Sequence, residues 1–215
     1  MELYHLLNRG VDKRQIVVDD HDRVRFIHDL FAFNNASLSL NFEQPERQLE
    51  QRKIHERLVD IHAFCLMGNH YHLLVSEVME EGIPLFMQKL NMGYSKYFNE
   101  RHERTGTLWQ GKYKKIQVTR DAHFLYIPYY IHLNPLDFVM PEWRDGKVKN
   151  ASQALKHLGA YRWSSHLDYL GVKNFPSITR RDLLSDTFRT RGKYEKEIAN
   201  IIGAPALANR SAAIE

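Results

Sequence analysis

The sequence predicts an α+β fold, with an antiparallel sheet, helices packed on one face of it and a helical C-terminal extension. Short apolar segments typical of strands alternate with longer segments that have helical spacing. Gly68-Asn69 separates two strand-like segments and fits a two-residue hairpin turn. The 215 residues, 43% of them hydrophobic, are enough for one well-buried domain.

The first half of the chain predicts a strand, a helix, an insertion and a hairpin. Residues 4–9 form the expected first strand, and a helix capped by Asp19 or Asp20 runs to about residue 34. The apolar positions expected on its buried face are Val24, Ile27, Leu30 and Phe31. Polar residues 35–57 predict an insertion with a short helix at about 45–58. Strands at 59–67 and 70–77 then flank the hairpin turn.

The second half adds a helix at about 84–102, a strand at 116–119 and a helix at 121–134. Pro128 predicts a kink in this last helix, or the start of a new one. The order strand-helix-strand-strand-helix-strand is that of a ferredoxin-like domain. We therefore expect one domain over residues 1–140, with a helical extension over 141–215 packed on it or flanking it.

Composition limits the classes of protein that are compatible with the chain. Cys65 is the only cysteine, which excludes an intramolecular disulfide and a cysteine-rich zinc module. The N-terminal residues lack a signal-peptide profile, and no apolar run approaches the roughly 20 residues that span a bilayer. We expect a cytoplasmic protein. The net charge of +4 and a pI of about 9.1 weakly favour a nucleic-acid partner.

Basic residues cluster in two places along the chain. Lys13 and Arg14 follow the first strand, and three lysines surround Tyr113 before the 116–119 strand: Lys112, Lys114 and Lys115. Interleaved cations and an aromatic ring suit phosphates and a stacked base. Solvated loops are the alternative interpretation.

His70 and His72 are the first candidate site. Side chains alternate along a strand, so these two histidines face the same way, about 6.5–7 Å apart. The opposite face carries the more apolar side chains, among them Tyr71, so we expect the helices to cover that face and leave the histidines on an open one. Neutral imidazoles at this spacing can bind Mg²⁺, Mn²⁺ or Zn²⁺. Two ordinary surface histidines are the alternative.

Tyr130 and Asn134 are the second candidate site. They stand four residues apart on a predicted helix and so share a face. A phenol is a poor nucleophile at neutral pH unless a metal or a base assists it. Tyr126 and Tyr129 are competing candidates, and Asn134 could instead simply end the helix before Pro135.

Four segments together resemble the REP-associated tyrosine transposases, relatives of the single-tyrosine insertion-sequence transposases in the HUH endonuclease superfamily. The segments, which occur in the family's order, are YHLLNRG at 4–10, FCLMGNHYHLL at 64–74, GTLWQGKYK at 106–114 and YIHLNP at 130–135. The resemblance extends from about residue 4 to about 171. It departs from the family at Leu136-Asp137, where relatives often place a basic residue.

The resemblance implies roles for individual residues within a catalytic domain over 1–140. His70, His72 and Asn134 would hold Mg²⁺ or Mn²⁺, and Tyr130 would attack a phosphodiester of single-stranded DNA to give a 5′-phosphotyrosine and a free 3′-hydroxyl. The DNA would be a hairpin from repetitive extragenic palindromes, and the protein a monomer rather than a dimer. The DNA-binding residues would be Arg9, Lys13, Arg14, Lys112, Tyr113, Lys114 and Lys115.

We therefore expect a metal-dependent, site-specific single-stranded DNA endonuclease and strand transferase. Two alternatives stay open from the sequence. The same fold could serve as a catalytically silent DNA- or RNA-hairpin binding module. A zinc hydrolase with water as nucleophile is weaker, because no acidic third ligand stands at a recognisable spacing.

Overall fold

The sheet contains four antiparallel strands in the order β2-β3-β1-β4. A computed structural model describes residues 1–37, 56–119, 121–188 and 190–204 of the protein. The strands are β1 (Tyr4–Arg9), β2 (Val59–Leu66), β3 (His70–Glu77) and β4 (Lys114–Gln117). With α1 between β1 and β2, and α2 between β3 and β4, this is the predicted ferredoxin-like arrangement, and the α+β class is confirmed.

Seven α-helices occur within the described residues: α1 (Asp20–Ala32), α2 (Gly82–Arg101), α3 (Asp121–Leu133), α4 (Ala151–Ala160), α5 (His166–Tyr169), α6 (Asp182–Phe188) and α7 (Arg191–Gly203). Two short 3-10 turns, Asn134–Phe138 and Pro141–Asp145, follow α3. The helix expected at about 45–58 falls almost entirely outside the described residues. None of the described helices is both long and apolar enough to cross a bilayer.

Helix α1 begins where its capping residue predicts. The Asp19 side chain accepts a hydrogen bond from the backbone N–H of Asp22, which satisfies a donor left open in the first turn. Its buried face differs from the prediction, because Phe26 is fully buried while Val24 is 54% exposed. Phe26 lies about 200° around the helix axis from Val24, on the side where Ile27 and Leu30 are buried as predicted.

The β2–β3 hairpin has the predicted register near its turn. Leu66 pairs with Tyr71 and Cys65 with His72, as a two-residue connection at Gly68-Asn69 requires. The register shifts between Ile61 and Ala63, at an irregularity in β2. The histidines of β3 therefore lie on the face opposite Tyr71, as strand alternation predicts.

The expectation of an open sheet face is wrong, because helices cover both faces. Helices α1 and α2 pack on the Tyr71 face, in a core that includes Leu6, Phe64 and Leu73. Helices α3, α4, α6 and α7 pack on the histidine face, in a second core that includes Cys65 and Leu74. The C-terminal segment carries enough apolar residues to bury a second layer, and hydrophobic burial favours covering the sheet over exposing it.

Helix α3 runs from Asp121 to Leu133 without interruption. Pro128 lies inside it, so the helix does not restart at this residue. The helix ends at the first 3-10 turn, where Pro135 occupies an early position that tolerates its missing N–H. This places Tyr130 in the last turn of α3 and Asn134 at the first residue of the turn that follows.

Candidate functional site

Strand β3 holds His70 and His72 side by side, with their ring centroids 4.9 Å apart. They are 7% and 1% exposed, because α3 lies over this part of the sheet. The pair is therefore an interior feature, and the interpretation as surface histidines is wrong.

Hydrogen bonds at the Nδ1 atoms orient both rings. His70 Nδ1 lies 2.6 Å from the Asn69 side-chain oxygen, which can only accept, so Nδ1 donates and the lone pair of the neutral ring lies on Nε2. His72 Nδ1 lies 2.9 Å from His5 Nε2. When His72 donates in that bond, its lone pair also lies on Nε2. This is the arrangement in which an outer partner prepares an imidazole to bind a metal.

Sequence reasoning missed His5. It lies on β1, stacked on the His72 ring at a centroid distance of 5.1 Å. Pairing of β1 with β3 brings it there, since His5 lies opposite Leu74 and Leu7 opposite His72. Nothing in the spacing of His5 from residue 72 indicates this pairing, which belongs to the tertiary structure.

Burial keeps these imidazoles neutral. Desolvation lowers the pKa of His5 to about 3, and it lowers the pKa of His72 well below the ordinary value. The positive charges of Arg144 and Arg9, and those of His70 and His5 whenever these are protonated, act in the same direction on the pKa of His72. Its Nε2 atom is buried and has no hydrogen-bond partner among the described residues. A buried, neutral imidazole with an open nitrogen has the chemistry of a metal ligand.

Helix α3 brings Tyr130 onto the histidines. Its ring centroid lies 5.7 Å from that of His72 and 6.1 Å from that of His5, both in edge-on geometry. Tyr130 is fully buried, between these rings and Trp143. The two candidate sites inferred separately from the sequence therefore form one cluster.

Asn134 completes this cluster from the 3-10 turn. Its Nδ2 donates to the backbone carbonyl of Tyr130 at 2.8 Å, and its Oδ1 accepts from Arg144 Nη2 at 3.1 Å. An amide oxygen has two lone pairs, so one remains for a metal. Two imidazoles and one amide oxygen fit Mg²⁺ or Mn²⁺ in donor type.

This donor set differs from a site built only of histidine, cysteine and carboxylate side chains. In the part of the chain that the structure describes, no group of three or more such side chains could hold a metal ion. Asn134 contributes an amide oxygen, which is none of these ligand types. The set of His70, His72 and Asn134 is therefore not a group of this kind.

Arg144 is the second residue that sequence reasoning missed. It comes from the Pro141–Asp145 turn, and its Nη1 donates to Tyr130 Oη at 3.2 Å. Asp137 holds the guanidinium through two bonds, Nε to Oδ1 at 2.9 Å and Nη2 to Oδ2 at 2.7 Å. Burial disfavours the charged form of Arg144, but its bonds to Asp137 and Tyr130 outweigh that cost and raise its pKa. Asp137 thus positions a cation beside Tyr130.

The predicted DNA-binding residues do not form one surface. Arg9 lies opposite His70 and Lys114 opposite Leu7, so both lie on the histidine face. Lys115 lies on the other face, with its ammonium 4.2 Å from the centre of the Tyr4 ring.

The remaining predicted DNA contacts lie near the ends of strands. Lys13 and Arg14 are exposed, and the Lys13 carbonyl accepts a hydrogen bond from Asn69 of the hairpin turn. Lys112 and Tyr113 precede β4 and line a cavity on the face opposite the histidines. The lysines around Tyr113 are therefore divided between the two faces of the sheet.

Comparison with known proteins supports the transposase resemblance. Residues 35–134, just under half of the chain, match the family model described as "Transposase IS200 like", and this range contains His70, His72, Tyr130 and Asn134. No curated protein matches the chain in sequence. One similar solved structure is described as a REP-associated tyrosine transposase bound to a REP hairpin. It is 13% identical, covers 85% of this chain and 86% of its own, and has a TM-score of 0.46, which is too low to support a shared fold.

The resemblance to the single-tyrosine insertion-sequence transposases is thereby confirmed, and the chain is transposase-like through the family match over residues 35–134.

Proposed function

We propose that the protein is a metal-dependent, site-specific single-stranded DNA endonuclease and strand transferase. It would act on hairpin DNA through a 5′-phosphotyrosine intermediate. The observation that supports this most directly is the packing of Tyr130 on His72, whose buried Nε2 has no hydrogen-bond partner among the described residues. A nucleophile and a prepared metal ligand in one buried cluster are the parts that this chemistry requires.

His70, His72 and Asn134 would hold the metal through Nε2, Nε2 and Oδ1. Mg²⁺ or Mn²⁺ bound there would act as a Lewis acid on a non-bridging oxygen of the scissile phosphate. His5 and Asn69 would support the site from outside, because each holds the Nδ1 atom of one histidine.

Tyr130 would be the nucleophile. Its Oη would lose its proton and form a bond to phosphorus while the bond from phosphorus to the 3′-oxygen breaks, and the 3′-oxygen would take up a proton and leave as a hydroxyl; the reverse reaction would rejoin the strands. Arg144 donates to Tyr130 Oη, so its guanidinium would stabilise negative charge that develops on that oxygen. Arg144 comes from beyond residue 140, so the expected division into a catalytic domain over 1–140 and an extension over 141–215 would leave one part of the site in the extension.

One observation favours the alternative of a hairpin-binding module without turnover. Tyr130 is fully buried, and Trp143 and Arg144 of the second 3-10 turn lie against its ring. A phosphate reaches Tyr130 Oη only when this turn moves. We propose that it does so when DNA binds, and that the protein acts as a monomer.

The decisive experiment looks for a covalent protein–DNA adduct. The protein is incubated with hairpin-containing single-stranded DNA and Mn²⁺, and the products are separated under denaturing conditions. We expect an adduct with the wild-type protein and none with Tyr130→Phe. Tyr129→Phe is the matched control, because it removes a hydroxyl from a buried tyrosine on the same helix that packs away from the site, on Phe188 and Tyr194.

The other outcomes assign the function differently. DNA binding without an adduct would support the module. Cleavage that survives Tyr130→Phe would show that water is the nucleophile and would overturn the proposal.

A further inference from the structure

A cavity of about 340 Å³ opens on the face of the sheet opposite the histidines. It lies where β1, α2 and the segment before β4 meet. Apolar and aromatic side chains form part of its wall, and three amide side chains form another part. The members that matter here are Met87, Trp109, Tyr113, Asn8, Gln88 and Asn91.

One wall of the cavity is held in place by hydrogen bonds. Trp109 Nε1 donates to the Asn91 carbonyl at 3.0 Å, and its ring packs edge-on against Tyr71 with 5.5 Å between the centroids. The Tyr71 hydroxyl donates to Asn91 Oδ1 at 2.7 Å. This bond orients the side-chain amide of Asn91 in the cavity wall. A flat ring and an oriented amide group are therefore present before any ligand binds.

The rim of the cavity supplies adaptable groups. Gln88 is exposed on α2, and its amide can both donate and accept. Tyr113 is half-buried, and the exposed Lys112 beside it provides a positive charge. Among the described residues that line the cavity there is no carboxylate. Rings for stacking, amides for hydrogen bonds to a base edge and a cation for a phosphate are the groups that bind an unpaired nucleotide.

The position of the cavity connects it to the site around Tyr130. Asn8 lies in the cavity wall, and its neighbours on β1, Leu7 and Arg9, lie opposite His72 and His70 on the other face. Strand β4 is the edge of the sheet beside β1. Lys114 of β4 lies on the histidine face and Lys112 lines the cavity, so cations occur on both sides of this edge.

We propose that this cavity binds one unpaired base of the DNA strand whose scissile phosphate lies at Tyr130. The strand would cross the edge of the sheet at β4, with phosphates near Lys114 and Lys112. The inference rests on the proposed function for the identity of the partner, and it adds a site for a base on the opposite face of the sheet.

The test measures binding and needs no cleavage, since every protein variant also carries Tyr130→Phe. The probe is a DNA hairpin with single-stranded thymidine tracts on both sides, in which one position after another is replaced by an abasic site. We expect one position at which the abasic site weakens binding on the order of tenfold. Gln88→Ala combined with Tyr113→Ala should weaken binding of the intact DNA by a similar factor and abolish the further loss at that position. Tyr113→Phe keeps the ring, so in this variant the abasic site should again weaken binding by most of the original factor.

Gln153→Ala is the matched control, because Gln153 is an exposed glutamine on α4 and does not line the cavity. It should leave the abasic penalty unchanged, and thermal melting should show that all variants fold. Equal abasic penalties in the protein with and without the cavity substitutions would overturn the proposal, as would uniform penalties along both tracts or absence of DNA binding. A third outcome is an abasic penalty at one position that the cavity substitutions remove, with no covalent adduct from the protein that retains Tyr130. This outcome would refute strand transfer but would still support the base-binding cavity.

Discussion

His72 on β3 and His132 on α3 differ in the hydrogen bonds that their rings make. Both are buried, and desolvation lowers the pKa of both well below the ordinary value. His132 has protein partners on both nitrogens, Ser165 Oγ at 2.7 Å and Tyr194 Oη at 2.6 Å. His72 has His5 on Nδ1 only, and its Nε2 has no partner in the described part of the chain.

Because His5 Nδ1 and His166 Nε2 are also buried without a partner among the described residues, the open nitrogen of His72 marks a candidate ligand only together with the packing of Tyr130 on its ring. Leaving a buried polar atom without a hydrogen bond costs about 1–3 kcal/mol, so such an atom in a folded protein calls for an explanation. His132 joins α3 to α7 through Tyr194, and to β2 through Ser165, which accepts from the Phe64 backbone N–H. His72 makes no such connection through Nε2, and a metal there would satisfy the open nitrogen.

The largest effect that tests this comparison is expected from His72→Gln. The substitution removes the open imidazole nitrogen, and Mn²⁺-dependent adduct formation should fall by at least about 100-fold, because loss of an outer partner of a ligand alone typically costs about 10- to 100-fold. Electron paramagnetic resonance of Mn²⁺ should show the matching loss of binding without reference to activity. Full Mn²⁺ binding in this variant would show that Nε2 is not a ligand.

His132→Phe should lower the stability of the protein and leave adduct formation unchanged, the opposite of what we expect for His72→Gln. It keeps a ring in the core but removes two hydrogen bonds, so the free energy of unfolding should fall by about 2 kcal/mol. Urea unfolding measures this loss. Adduct formation per folded molecule should stay at the wild-type level, and a selective loss of adduct would place His132 in the site.

A third effect concerns pH and the histidines around Tyr194. Desolvation lowers the pKa of His132, and it lowers that of His166 to about 4. Below the unfolded value of about 6.5, the unfolded chain takes up protons that the native imidazoles do not. The free energy of unfolding should therefore fall with falling pH, by about 1.4 kcal/mol per pH unit for each histidine.

Urea unfolding of the metal-free protein at about pH 7 and about pH 5 measures this slope. In His132→Phe, the slope of the free energy of unfolding against pH should be smaller by the contribution of one histidine. Equal slopes in the two proteins would mean that His132 is not kept neutral by burial.

Local patterns predicted much of the fold and the position of most site residues. The hairpin register follows from a two-residue turn, and it correctly placed Cys65 opposite His72. The cap at Asp19 correctly placed the start of α1. Spacing along one strand and one helix also paired His70 with His72 and Tyr130 with Asn134. Each of these inferences involves residues that are close in sequence, where backbone geometry alone sets direction.

Such local patterns could not predict two residues of the candidate site, His5 and Arg144. His5 reaches His72 through the β1–β3 pairing, and Arg144 reaches Tyr130 across two 3-10 turns held by Asp137. The burial of the histidine face was also missed, since it depends on where the C-terminal segment packs. No periodicity in the sequence encodes contacts between such distant segments.

The sequence by itself determined that His70 and His72 share a face and that Tyr130 lies one helical turn from Asn134, because strands and helices have fixed periods. Only the tertiary structure decided that the two pairs meet, that helices cover them, and that His72 Nε2 is buried without a hydrogen-bond partner among the described residues. Partners and burial depend on which surfaces pack together, and packing is a property of the whole chain.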